Sequence, residues 1–278
     1  NEAIDFLKAQ EEVPRIWPLF DLFEENLYSA HGIESLGGYH PAKLKVYEDL
    51  RERMDVRRGG VALSAVDLLA PGWVLSPAAL SRADLDQLAQ RGLPLQEAFQ
   101  GEGGVVYRNL SEPPRQWLVS RWEAETPGED TTGEEPAPDV LQRVLAPDFR
   151  PRQEVILSAA PAPAPGPADP GDELRLVEWS WQQRVYESDT TAPSLAVLSE
   201  IYYPGWRATV DQTEVPLLRA DHALQAVALP AGRHTLRLEY TEPAFVTGRR
   251  LSRLSAALIA LGLLASLGLP AWRGRRAD

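Results

Sequence analysis

The residue types that most often carry out chemistry are scattered in this sequence. Cysteine is absent, and the four histidines stand at positions 31, 40, 222 and 234 without a His-x-x-x-His or His-Glu pairing for a metal. Residues 32–37 have one residue too many for a Gly-x-Ser-x-Gly elbow, and Gly101-Glu-Gly103 lacks a third glycine. The sequence therefore predicts no catalytic residue, no metal site and no cofactor.

Two groups of polar and aromatic residues are candidates for contact with a glycan. The first is a glycine-rich loop formed by Gly38, Tyr39 and His40. Loops on a rigid scaffold often carry binding sites, although a purely structural turn is the alternative here. The second group lies in and after a Tyr-Pro-Gly-Trp turn and consists of Tyr203, Arg207 and Asp211.

Trp206 lies between these polar residues and could either stack on a sugar or pack in the core. In a strand, alternate side chains share a face, so Trp206, Ala208 and Val210 form one uniformly apolar set. Large aromatic residues in strands usually pack inward. We therefore predict that these three residues belong to the core.

The elements that must position these residues are mainly strands. Closely spaced strand patterns occupy 174–186, 195–202, 206–210, 215–218, 223–229 and 234–240, which is typical of an antiparallel sandwich. Short helices are predicted at 2–8, 43–54 and 81–91, the last with Ser81 as its N-cap. The predicted class is α+β and mainly β: an antiparallel, jelly-roll-like β-sandwich with a few short helices and one C-terminal transmembrane helix.

The composition suggests five segments along the chain. Residues 1–159 form a mixed α/β part, 160–172 a proline-rich linker and 173–243 the antiparallel sandwich. Residues 254–272 carry no charge and would span about 28 Å as a helix, close to the thickness of a bilayer core. They are predicted to be a transmembrane helix, followed by a cytoplasmic tail at 273–278.

Charge restricts the class of partner. The net charge of −12 argues against a nucleic-acid surface, which needs clustered lysine and arginine. The uncharged segment predicts instead that the lipid bilayer is a partner. Gly262 and Ser266 are spaced so that another helix can approach closely in lipid.

Several motifs resemble the bacterial YfhO-type membrane proteins, which are placed with the GT-C glycosyltransferases. The clearest is LSEIYYPGWRATVD at 198–211, followed by the hairpin at 227–240. Upstream, the stretch 28–47 with its Gly-Gly-Tyr-His-Pro turn is similar to another part of the family pattern. Gln212 stands where the family usually has glycine.

The resemblance implies a C-terminal, extracytoplasmic domain of a polytopic bacterial membrane protein. The parent would be a glycosyltransferase acting on cell-envelope glycans or lipid-linked sugars, with residues 1–253 outside the cytoplasm and this chain alone inactive. Its partners would be the bilayer, other transmembrane helices of the parent and cell-envelope glycan. The alternative is a non-catalytic module for carbohydrate binding or membrane-complex assembly.

Overall fold

The computed structural model describes residues 1–39, 41, 43–125 and 138–273. Of residues 138, 243–247, 250 and 265–273 it describes the backbone alone. The helices are α1 (Glu2–Lys8), α2 (Leu27–Ala30), α3 (Lys45–Met54), α4 (Leu63–Leu69), α5 (Arg82–Gln90), α6 (Pro138–Val144) and α7 (Pro243–Arg273). Two short 3-10 helices occupy Phe20–Glu24 and Val56–Arg58.

The strands form three sheets, and most neighbouring pairs are antiparallel. They are β1 (Arg15–Pro18), β2 (Glu34–Ser35), β3 (Trp73–Ser76), β4 (Leu95–Gly101), β5 (Gly104–Asn109), β6 (Gln116–Val119), β7 (Arg121–Ala124), β8 (Glu154–Leu157), β9 (Glu173–Ser180), β10 (Gln183–Thr190), β11 (Ser194–Ile201), β12 (Trp206–Val210), β13 (Thr213–Val215), β14 (Leu218–Ala220), β15 (Leu224–Leu229) and β16 (Gly232–Tyr240). The described part of the chain is thus mainly β with a few helices, as predicted.

The N-terminal sheet has the strand order β2-β1-β3-β5-β4. Its first three strands are parallel, and β3, β5 and β4 pair antiparallel. Helix α1 packs its apolar side, including Ile4 and Leu7, against Ile16, Leu75 and Val106 of this sheet. The sheet carries Arg15 and Glu34 on its neighbouring strands β1 and β2, in direct register.

The central sheet is buried on both faces. Its order is β6-β11-β15-β14-β8-β7, and residues 194–199 of β11 and all of β15 are buried. Leu195 and Val197 point to the core shared with α3, α4 and the N-terminal sheet, whereas Ala196 and Leu198 point to the other side. A strand covered on both faces needs apolar residues at every position, which explains the continuous apolar pattern.

The outer sheet completes the sandwich. Its order is β13-β12-β16-β10-β9, and all of its pairs are antiparallel. Tyr186, Leu236 and Leu238 from this sheet meet Leu198 and Val227 of the central sheet in one buried cluster. The outer and central sheets therefore pack face to face, but the strands β6, β7 and β8 of the central sheet come from the part before residue 160.

The structure corrects two predicted strands. Residues 174–186 are not one strand but the hairpin of β9 and β10, which turns at Trp181 and Gln182. Residues 215–218 span the end of β13 and the start of β14, which belong to different sheets. The helix predicted at 81–91 is confirmed as α5, where Ser81 Oγ accepts a hydrogen bond from the Asp84 N–H at 3.1 Å.

Helix α7 begins just after the last strand and covers the predicted transmembrane segment. Within the part of the chain that the structure describes, no helix combines the length and apolar character needed to cross a membrane. The predicted span at 254–272 is therefore not supported, and the side chains of its second part, 265–272, lie outside the described residues. The predicted tail lies outside them too, except for the backbone of Arg273.

Candidate functional site

A cavity of about 390 Å³ opens where the three sheets come together. The N-terminal sheet contributes Arg15 and Glu34, the outer sheet contributes Arg184, and the central sheet contributes Ser199 and Glu200. We call this space the inter-sheet cavity. Its size falls within the range of about 300–1,000 Å³ that is common for small-molecule sites.

The side chain of Arg15 makes several hydrogen bonds in the wall of the inter-sheet cavity. Its Nε donates to Glu34 Oε2 at 2.8 Å, and its Nη2 donates to Glu200 Oε1 at 3.1 Å. Its Nη1 donates to the carbonyl oxygens of Leu69 and Ser199 and to Ser199 Oγ, at 2.7–3.0 Å. One buried guanidinium thereby ties the N-terminal sheet to the central sheet.

Two further arginines complete a buried charge network. Arg115 Nη2 lies 2.6 Å from Glu34 Oε2 and 3.3 Å from Glu200 Oε1. Arg184 Nη2 lies 3.2 Å from Glu200 Oε2 and 3.9 Å from Glu34 Oε1. Three guanidinium groups therefore surround two carboxylates among the described residues of this network, which we call the five-residue network.

The network keeps the Glu34 carboxylate ionised. Burial acts to raise the pKa of Glu34, but the charges and hydrogen bonds of Arg15 and Arg115 outweigh it, so that its pKa lies below the ordinary value. Burial acts to lower the pKa of Arg15, whereas Glu34 and Glu200 raise it above the ordinary value. Both groups are charged at neutral pH, which suits ion pairing and hydrogen bonding rather than proton transfer.

An exposed tryptophan lines the inter-sheet cavity. Trp181, at the turn between β9 and β10, lines the cavity and exposes 53% of its surface. Its ring meets the ring of Trp179 edge to face, with 4.9 Å between the centroids. The guanidinium of Arg184 lies 4.8 Å from the centroid of Trp179 and 5.7 Å from that of Trp206. The ring of Trp181, which lines the cavity, is thus supported by its contact with Trp179.

A loop with two glycines also lines the inter-sheet cavity. The side chain of Asn26 bonds both backbone groups of Tyr39, donating to its carbonyl at 2.7 Å and accepting from its N–H at 2.9 Å. The Gly38 N–H donates to the Phe23 carbonyl at 2.6 Å. A β-carbon on Gly37 would collide with that same carbonyl, so the close approach requires glycine.

The structure places the predicted loop residues beside this cavity. Gly38 lines the inter-sheet cavity with φ at +110°, and Tyr39 follows it with 56% of its surface exposed. The Lys43 Nζ lies 5.9 Å from the Tyr39 ring centroid. His40 lies outside the described residues.

The second predicted group does not line the inter-sheet cavity. Tyr203 is 42% exposed and its ring lies 6.2 Å from that of Tyr240. Arg207 is exposed on β12. Asp211 begins the tight turn after β12, where its carboxylate lies 2.6 Å from His234 Nδ1 and accepts from the Thr235 N–H at 2.9 Å. Asp211 and Gln212 both have positive φ, the conformation that favours glycine.

The apolar face of β12 points into the sandwich. Ala208 and Val210 are buried, and Trp206 is partly buried against the same cluster. The ring centroid of Trp206 lies 5.5 Å from that of Tyr240. Trp206 therefore contacts the core on one side and Arg184 of the five-residue network on another.

The residues that form the inter-sheet cavity were largely missed by sequence reasoning. A usable signal existed for the network, because Arg15 and Glu200 are charged residues within otherwise apolar strands. The position of Trp181 at a turn was not predicted, because residues 174–186 were interpreted as one strand. Within the described residues no group of three or more histidine, aspartate or glutamate side chains could hold a metal ion.

Comparison with known proteins finds a match for the part of the chain that contributes sandwich strands to this site. Residues 173–252 match the family model described as bacterial membrane protein YfhO. The YfhO-type resemblance is confirmed. No match was found among curated proteins or among solved structures.

The matched residues and the inter-sheet cavity overlap only in part. Trp181, Arg184 and Glu200 lie within the YfhO match, whereas Arg15 and Glu34 precede it. Because the family is one of bacterial membrane proteins, the match supports the predicted localisation at the membrane. The cavity is built by the YfhO segment together with the sheet before it.

Proposed function

We propose that this chain is an accessory domain of a YfhO-type bacterial membrane protein and that it binds cell-envelope glycan in the inter-sheet cavity. It would lie on the extracytoplasmic side, and its parent would be a GT-C-type glycosyltransferase, as the resemblance implies. The chain itself would hold or position the glycan and would not transfer sugar.

The observation that carries this proposal is the pairing of Trp181 with a polar cavity. An exposed indole offers a flat face to the apolar side of a pyranose, and its edge-to-face contact with Trp179 supports it. Beside it, Arg184 and Glu200 place charged groups in the cavity wall. An apolar wall with a few fixed polar groups is the usual composition of a small-molecule site.

The charge network supports binding rather than catalysis. A general acid must hold a proton near neutral pH, whereas the pKa of Glu34 is lowered by Arg15 and Arg115. Glu200 also has both oxygens engaged, Oε1 by Arg15 and Oε2 by Arg184. Carboxylates held in this way accept hydrogen bonds and fix neighbouring side chains.

The membrane attachment rests on α7. The large apolar side chains at 251–264 expose between 58% and 66% of their surface, and residues 254–272 carry no charge. Exposed apolar surface of this extent favours burial in lipid or against other apolar helices. We include in the proposal that residues 254–272 form the transmembrane helix and contact other helices of the parent.

The test is glycan binding by paired tryptophan and tyrosine variants. The full chain in detergent would be titrated with cell-envelope oligosaccharides by calorimetry. Trp181→Ala is expected to weaken binding at least tenfold, since stacking on an aromatic ring is lost, with little change in thermal stability. Tyr203→Ala is the matched control, because it removes an exposed aromatic ring outside the inter-sheet cavity.

The two variants separate the possible sites. Loss of binding in Tyr203→Ala with normal binding in Trp181→Ala would move the glycan site to the surface of β12. Equal binding in both variants and in the unmodified chain would contradict an aromatic platform at either place.

A further inference from the structure

Backbone hydrogen bonds define the end of the outer sheet that lies beside the start of α7. The Tyr240 N–H donates to the Gln182 carbonyl, and the Thr241 N–H donates to the Gly205 carbonyl, both at 2.8 Å. The turn between β9 and β10 and the turn before β12 therefore lie beside the last residues of β16. Helix α7 begins directly afterwards, at Pro243. We call this part of the molecule the α7 end of the outer sheet.

Two large aromatic side chains are exposed at the α7 end. Trp181, in the turn between β9 and β10, exposes 53% of its surface, and Tyr203, in the turn before β12, exposes 42%. The ring of Tyr203 lies 6.2 Å from that of Tyr240 between centroids. Tryptophan and tyrosine are enriched at the interface between a bilayer and water, because the apolar ring and its polar group both find partners there.

Helix α7 connects the α7 end to an apolar stretch that packs on none of the sheets. Every residue at 251–264 is exposed, so this part of α7 extends away from the domain. At about 1.5 Å per residue, Leu251 lies about 12 Å from Pro243. The headgroup layer is about 5–7 Å thick on each side of the hydrocarbon core, so with Leu251 at the edge of that core it begins about 5–7 Å from the domain. Arg249 and Arg253, on either side of Leu251, lie at the depth where cationic side chains reach lipid phosphates.

We propose, building on the membrane attachment in the proposed function, that the α7 end rests on the lipid headgroup surface, with Trp181 and Tyr203 as its anchors. Helix α7 alone is a single point of attachment and would leave the orientation of the domain free. Two aromatic rings beside it add further points of contact and fix that orientation. Trp181 also lines the inter-sheet cavity, so the cavity opens next to the headgroups.

Single labels can report the distance of each end of the sheet from the bilayer, because the chain has no cysteine. Gln182→Cys places a fluorophore at the α7 end. Arg233→Cys is the matched control at the opposite end of the same pair of strands, where Arg233 is 87% exposed. The ends are separated by the length of β10 from Gln183 to Asp189, which is about 20 Å at about 3.4 Å per residue.

The labelled full chain would be placed in phosphatidylethanolamine and phosphatidylglycerol vesicles without glycan. A lipid with a nickel-chelating headgroup quenches fluorophores near the surface. We expect the label at 182 to be quenched about threefold more than the label at 233, because about 20 Å separates them. Trp181→Ala combined with Tyr203→Ala should reduce this difference. Val177→Ala, which removes an exposed apolar side chain from the middle of β9, should leave it unchanged.

A third label separates this inference from the proposed function. Ser255→Cys places the fluorophore on α7, where a blue shift of its emission reports insertion into lipid. A label at 255 that stays in water would overturn the membrane attachment and this inference with it. An inserted α7 with equal quenching at 182 and 233 would overturn this inference alone.

The double variant tests the two rings. An unchanged difference in the folded Trp181→Ala, Tyr203→Ala chain would overturn their role as anchors. If that variant does not fold, the comparison of the labels at 182 and 233 on otherwise unmodified chains decides.

Discussion

Truncation of Trp206 tests whether the apolar face of β12 belongs to the core. The indole is partly buried, packs against the sandwich cluster and lies 5.5 Å from the ring of Tyr240 between centroids. It also lies 5.7 Å from the Arg184 guanidinium. Trp206→Ala removes all three contacts without changing the charge of the chain.

The expected loss can be estimated from area. A tryptophan side chain that packs in a core buries about 150–250 Å², worth about 4–6 kcal/mol at about 25 cal/mol per Å². Because Trp206 is only partly buried, roughly half of this applies, and the pair with Tyr240 adds about 1 kcal/mol. We therefore expect a loss of about 3 kcal/mol, at the lower end of the roughly 3–5 kcal/mol expected for a fully buried tryptophan.

Thermal unfolding measures this effect. At about 2–4 °C per kcal/mol, the melting midpoint of Trp206→Ala should fall by about 6–12 °C, while Trp206→Phe should recover much of it. Tyr203→Ala, which removes an exposed ring from the same turn, should change the midpoint far less. An unchanged midpoint combined with lost glycan binding in Trp206→Ala would refute the core assignment and make Trp206 the sugar platform.

Three further predictions concern a buried acid, a glycine and the C-terminal helix. Burial raises the pKa of Asp221 to about 8, so the free energy of unfolding should fall as pH rises from about 4 to about 8, and it should fall less in Asp221→Asn. Equal pH slopes of the unfolding free energy in the two proteins, measured with urea, would contradict this. Gly37→Ala should cost about 1–3 kcal/mol, since the new β-carbon meets a backbone carbonyl, whereas Gly72→Ala, with open space around it, should cost little in the same assay. The full chain should partition into detergent and a chain ending at Glu242 into water; a monomeric full chain in the aqueous phase would contradict the membrane helix.

Local patterns in the sequence predicted local structure well. Helix α1 and strand β12 have the predicted bounds, and Ser81 caps α5 as predicted. These elements depend on capping and on alternation of apolar residues, which neighbouring positions reveal. The hairpin of β9 and β10 was missed because Trp181 and Gln182 at its turn are not typical turn residues.

The site was harder to predict because its residues are distant in the sequence. Arg15 and Ser199 are 184 positions apart and come together only when the N-terminal and central sheets pack. The loop at Gly38 was predicted from its glycines, which act through local backbone geometry. No local pattern could indicate that this loop and Trp181 border the same cavity.

The proposed binding function gives the five-residue network a role that stability alone does not. Buried ion pairs lose much of their attraction to the cost of removing both charges from water, and apolar replacements are often neutral or stabilising. Here Arg15, Glu34, Arg184 and Glu200 come from all three sheets, so the network forms only after these sheets have assembled. Packing alone would be satisfied by leucine or methionine at these positions. What the arginines add is a fixed set of donors and charges at the wall of a cavity that also presents an exposed tryptophan, and recognition of a polar ligand requires that combination.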